Sequence, residues 1–301
     1  MRKQFYFLFF LSLVLQFEAL AQKIDKQKLL QDIAYLASDE LEGRKPLSEG
    51  SIKARNYIRN RFQSLGLTSQ YTGHLQTFDF YNQRENRQYS QAANVVGFIP
   101  GSQKDALIVI MAHYDHLGKQ GDQIYNGADD NASGTAAVLA IAEYFSNNRP
   151  KHSLMFVALD AEEMGHQGAK ALVADFPFPL NQVVLNVNMD MVSRNENNEL
   201  YASGTYHYPH LKPLLQKVSE QQEKITLKFG HDIPGTGKND WTMASDHSQF
   251  HLNKIPFIYF GVEDHQDYHK PTDTFEHINP DFFHASVELI TAFIIAADEG
   301  L

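Results

Sequence analysis

Apolar residues recur in two rhythms along the chain. Leu29, Leu30, Ile33 and Leu36 follow helical spacing, as do Ile52, Tyr57, Ile58, Phe62 and Leu65, with Gly66 as a stop signal. Short apolar runs follow at 94–98, 107–112, 154–159, 183–189 and 255–260. Runs of that length predict strands covered on both faces. Helical patterns at 134–145, 167–174, 211–222 and 282–297 separate several of them. Strands alternating with helices predict a three-layer α/β/α fold around a central, mostly parallel mixed sheet. The polar stretches 69–91 and 194–198 are assigned no element. The Gly- and Pro-containing loop 230–240 is expected near a site.

The first apolar run has a different meaning. Arg2 and Lys3 precede an apolar stretch over 5–17, and Ala19-Leu20-Ala21 supplies a small-residue cleavage site. Residues 1–21 are therefore expected to be a secretory signal peptide, and 22–301 a single domain. A retained anchor is the alternative, but the run is short for a membrane span. The expected location is secreted or periplasmic, with no stable membrane association after cleavage. A formal net charge of -10 argues against a nucleic-acid partner. The chain has no cysteine, so disulfides, thiolate metal sites and a cysteine nucleophile are excluded. Any metal must be held by His, Asp or Glu.

Those residue types gather where the strands stop. His113-Tyr114-Asp115-His116 follows one run, Asp160-Ala161-Glu162-Glu163 a second, Asn188-Met189-Asp190 a third, and Tyr268-His269 comes shortly after a fourth. Ligand sites of open α/β sheets lie beyond the carboxyl ends of the strands. Asp130 adds a further carboxylate on a turn entering a helix. So many carboxylates on one edge would repel unless protonated, and a pair of divalent cations removes the problem. Zinc, cobalt and manganese all suit such a donor set. There is no Gly-x-Ser-x-Gly and no His-Glu-x-x-His.

As a set, these motifs resemble the M28 family of co-catalytic zinc aminopeptidases, the group that includes the Aeromonas-type leucyl aminopeptidase. The matching segments are 113–115, Gly127 to Gly134, 160–163, 188–190, 245–250 and 268–274; Leu36 to Arg44 is similar to the family's N-terminal helix and loop. The resemblance implies a zinc-peptidase, phosphorylase/hydrolase-like architecture and a di-zinc aminopeptidase acting on peptides. It implies His113 and Asp190 on one zinc, Glu163 and His269 on the other, and Asp130 bridging both. It further implies Glu162 as general base, Asp115 supporting His113 from behind, and a cis Asp130–Asn131 peptide; the alternative is a trans turn with Asn131 left-handed, and Ser133 is expected to cap the next helix. Tyr268 is the expected oxyanion donor, although the Aeromonas-type enzyme places a tyrosine in a segment where this chain has Thr242. Asp246 and His247, from the Ser-Asp-His segment, are expected to touch substrate. Two other readings stand beside this one: a single-zinc glutaminyl cyclase, and a non-enzymatic binding domain.

Overall fold

The apolar runs form the middle of an eight-stranded sheet in a computed structural model that describes residues 23–301. The expected signal peptide over 1–21 lies outside the described residues. The strands are β1 (Leu75–Asn82), β2 (Arg87–Ile99), β3 (Gln103–His113), β4 (Gly118–Gln120), β5 (Gln123–Tyr125), β6 (His152–Leu159), β7 (Val183–Asp190), β8 (Glu199–Ser203), β9 (Thr226–Phe229) and β10 (Phe257–Gly261). Their order in the main sheet is β1-β2-β6-β3-β7-β10-β8-β9, and β4 and β5 pair separately. The central four, β6-β3-β7-β10, are mutually parallel. The outer pairings β1–β2, β2–β6 and β10–β8 are antiparallel.

The helices are α1 (Lys26–Leu36), α2 (Glu49–Ser64), α3 (Gly134–Asn147), α4 (Gln167–Ala174), α5 (Lys212–Ser219), α6 (His247–Leu252) and α7 (Pro280–Gly300). Side chains alternate across a strand, and β3 divides its apolar residues accordingly. Ile108, Ile110 and Ala112 pack into the core with α1, α2, α3 and α7. Leu107, Val109 and Met111 pack on the opposite face with residues of α4 and α6. β6 divides in the same way: Leu154, Phe156 and Ala158 face one layer, and Met155, Val157 and Leu159 the other. A strand buried on both faces has no polar position to spare, which is why the run is continuous. Among the described residues α7 is long and apolar enough to cross a membrane, but most of it is buried in this core.

The stretch 69–91, unassigned from sequence, contains β1 and the start of β2. The short strands β8 and β9, at one end of the sheet, were not expected either.

Candidate metal centre

Four parallel strands deliver their ends to one edge, and most of the expected site residues meet there. His113 is the last residue of β3 and Asp190 the last of β7. Glu162 and Glu163 follow β6, and His269 lies eight residues past β10. Asp130 sits in the single wide turn Ala128–Ser133 that leads into α3. Gly127 opens that turn at φ 56°, and a Cβ there would come within 2.0 Å of the Asp130 carbonyl oxygen. Only glycine fits. The Asp130–Asn131 peptide is cis, as the resemblance implied. The helix start is capped differently from expectation. Asn131 Oδ1, not Ser133, accepts from Gly134 N at 2.9 Å. The Ser133 hydroxyl instead donates to the Asp129 carbonyl and accepts from Val192 N.

The carboxylate of Asp130 is divided between two groups. Its Oδ1 lies 3.4 Å from His113 Nε2, which is also 3.3 Å from Asp190 Oδ1. Its Oδ2 lies 3.0 Å from His269 Nε2, which is 3.5 Å from Glu163 Oε1. His116, placed at the same strand end by sequence but given no role there, joins the second group: Nδ1 is 2.8 Å from Glu163 Oε1 and 3.8 Å from Asp130 Oδ2. Two sets of donors thus share one carboxylate, His113-Asp130-Asp190 and His116-Asp130-Glu163, with His269 beside the second.

The electrostatics fit cations. Burial pushes the Asp130 carboxyl up, with Glu163 adding to it. Burial also raises Glu162 well above the carboxylate range; His113 opposes this and Glu163 reinforces it. Burial would lower His269, yet Asp130 and Glu163 push it up to about 10. His113 is raised against burial in the same way by Asp190 and Asp115. Conversely, burial would raise Glu163, and His116 and His269 hold it low instead. Protons on imidazoles balance the carboxylates, and a divalent ion at each set would replace those protons.

Asp115 stands on the Nδ1 side of His113, away from the Nε2 that faces Asp130 and Asp190. His113 Nδ1 donates to the main-chain carbonyl of Asp115 at 3.1 Å, while the Asp115 carboxylate stands 3.7 Å away. That carboxylate accepts from the amides of Glu162 at 3.0 Å and Glu163 at 3.3 Å. Asp115 therefore fixes the backbone of the glutamate pair, and its carbonyl sets the His113 tautomer.

A cavity of about 100 Å³ opens onto the donors and is lined by Glu162, Trp241, Tyr259, Asp264 and Tyr268 among others. Tyr268 is half-buried and stacks on His269 with ring centroids 4.0 Å apart. Tyr259, missed from sequence because it lies inside an apolar strand, also lines the cavity. Its hydroxyl donates to the Asp190 carbonyl at 3.3 Å. Glu162 Oε1 meets His166 Nε2 at 3.1 Å, and Ser248 Oγ lies 3.2 Å from His166 Nδ1. Asp246 and His247 do not line the cavity. Both are fully buried, and His247 Nε2 donates to the Trp241 carbonyl. The expectation that they touch substrate does not fit this placement: burial puts them behind the site.

A fully buried arginine holds the site loops. Arg44 donates to the carbonyls of Leu36, Tyr114, Asn126 and Gly127 at 2.5–2.9 Å. Burial lowers it to about 10, against the pull of Asp130 and Asp273.

Fold and site define a buried carboxylate–imidazole centre at the strand ends of an open α/β sheet. Residues 94–294 match Peptidase family M28, and the chain belongs to that family. Aminopeptidase YwaD of Bacillus subtilis is 29% identical over 203 residues, covering 64% of this chain and 41% of that protein. The chain spans less than half the length of the curated relatives it matches. Its fold is shared with BSAP, a zinc aminopeptidase from Bacillus subtilis, at a TM-score of 0.74, 16% identity, and coverage of 91% and 95% of the two chains. It is shared equally with a Bacteroides thetaiotaomicron glutaminyl cyclase, at a TM-score of 0.74, 17% identity, and coverage of 91% and 99%.

Proposed function

We propose that this chain is an exported di-zinc aminopeptidase, releasing N-terminal residues from peptides. The observation that carries the reading is the divided Asp130 carboxylate, with one oxygen toward His113 and the other toward His269. His113, Asp190 and Asp130 would hold one zinc; Glu163, His269 and Asp130 would hold the other. Bound there, the ions supply Lewis acidity at the scissile carbonyl and bring water closer to ionisation at neutral pH. Export rests on residues 1–21.

Glu162 lines the cavity without belonging to either donor set. Its raised affinity for protons suits a group that takes a proton from water and passes it to the leaving amine. His166 holds its carboxylate from the side at 3.1 Å. Tyr268 and Tyr259 both line the cavity; the Tyr259 hydroxyl is already donated to the Asp190 carbonyl, which leaves Tyr268 to donate to the carbonyl oxygen as it gains charge. Asp264 is exposed beside them and offers a negative charge to the free amine of an incoming peptide.

Metal content of the purified protein, measured beside assays on leucine p-nitroanilide and glutamine-β-naphthylamide, tests the reading. Two ions per chain with leucine release supports it. One ion with a pyroglutamyl product replaces it with the glutaminyl cyclase reading. Neither ion nor turnover leaves a non-enzymatic binding domain.

A further inference from the structure

His116 has no role in the five-residue donor set, and its position is unusual. The side chain is fully buried, and neither ring nitrogen has a hydrogen-bond partner among the described residues. A buried imidazole left unpaired costs free energy, so the arrangement needs an explanation. Nδ1 is only 2.8 Å from Glu163 Oε1, yet the two are misaligned for a hydrogen bond, and Glu163 Oε1 is itself unpartnered. Two atoms this close that do not point at each other can both point at a third position.

The neighbouring distances locate that position. Around it stand Asp130 Oδ2, Glu163 Oε1, His269 Nε2 and His116 Nδ1. The measured separations within this set are 2.8, 3.0, 3.5 and 3.8 Å. Donors about 2.05 Å from a tetrahedral zinc stand about 3.3 Å apart. His116 does not line the cavity, whereas the other three donors do. It approaches from the buried side, opposite substrate.

We propose that His116 Nδ1 is a fourth protein ligand of the second metal ion. The proposal rests on the di-metal reading above. It makes the two subsites unequal. The His116-Asp130-Glu163-His269 subsite has four protein donors and is closed, as in structural zinc sites. The His113-Asp130-Asp190 subsite has three and keeps its open position toward the cavity. The closed subsite is the tighter and fills first. The open one carries the position available to substrate.

The test is competitive chelator titration with zinc, together with the visible spectrum of the cobalt-loaded protein, on wild type, His116→Ala and His116→Gly. Wild type is expected to bind two ions with separated affinities. Both variants are expected to lose at least about 100-fold on the tighter ion, more than removal of a supporting hydrogen bond usually costs. The cobalt spectrum changes, and added imidazole restores tight binding to His116→Gly. His116→Gln, which retains a polar side chain of similar length, guards against a folding defect and loses the same affinity. Both affinities within about threefold of wild type, with an unchanged cobalt spectrum, overturn the proposal and leave the di-metal reading standing. A wild-type protein that binds no divalent ion overturns both.

Discussion

Asp129 and Asp130 are consecutive, both buried, and treated in opposite ways. Asp129 is fully satisfied: Oδ1 accepts from the amide and hydroxyl of Ser193 at 2.7 and 2.8 Å, and Oδ2 from His265 Nε2 at 3.1 Å. Around it, the Asp273 carboxylate accepts the amides of both Asp129 and Asp130. On the Asp130 side, carboxylates and imidazoles crowd one another, and His116 and Glu163 keep unpartnered atoms. Polar satisfaction separates a carboxylate that builds the structure from one that waits for a ligand, when burial alone cannot.

The sharpest way to break this contrast is to remove each aspartate in turn. Asp130→Ala is expected to lose at least one bound metal ion and essentially all activity while the chain stays folded, as read by metal analysis and circular dichroism. Two ions per chain with normal turnover would transfer the bridge to another carboxylate. Glu162→Gln, on the same side of the contrast but outside both donor sets, should keep both ions and lose about 10²- to 10⁴-fold in turnover. Retention of a tenth of the wild-type rate would remove it as the base.

On the satisfied side the expectation reverses. Asp129→Asn should cost about 3 kcal/mol in stability, because it disturbs three hydrogen bonds to a buried charge, while the metal count stays at two. Urea unfolding together with metal analysis reads both quantities. A folded Asp129→Asn protein lacking a metal ion would erase the distinction between the two residues.

The smallest effect concerns pH. Burial pushes His247 down to about 3, although its bond to the Trp241 carbonyl resists. Between its unfolded value near 6.5 and that value, the unfolded chain binds the proton and the folded chain does not. Stability from this group is therefore complete above about pH 6.5 and is lost as pH falls toward 3. Asp160 and Asp273 are raised by burial, to about 7 and about 6, and act in the opposite sense, losing stability as pH rises through those values. Comparing His247→Asn with wild type isolates the first contribution. From pH 7 to pH 5 the wild type should lose about 2 kcal/mol more than the variant in urea unfolding. Equal losses would mean that the ring is protonated where it lies.

These contrasts also mark what the sequence could reveal. Central strands such as β3 and β6 are legible because both faces are buried and the apolar run is unbroken. β8 and β9 lie at the far side of the sheet, are short and partly exposed, and carry no such run. At the site, His113, Asp130, Glu162, Glu163, Asp190 and His269 are legible as a motif set, and the structure brings them together. The second task of Asp115 could not be read from sequence, because the amides its carboxylate accepts are 47 and 48 positions away, brought near by the pairing of β3 with β6. His116 was visible at the strand end but received no role, since nothing in its spacing separates a buried donor from an ordinary loop histidine.

Arg44 has a consequence for the order in which the protein is made. It leaves the ribosome well before Asn126 and Gly127, whose carbonyls it must find, and His269 comes later still. Until the chain has closed over those spans, the guanidinium has water as its partner, and the metal donors remain scattered through nascent chain. Synthesis at about 5–20 residues per second is slow compared with loop closure, so the arrival of the chain sets the order. The centre can therefore assemble only once His269 has emerged, and ion capture would be a late event in a fold already built around an arginine.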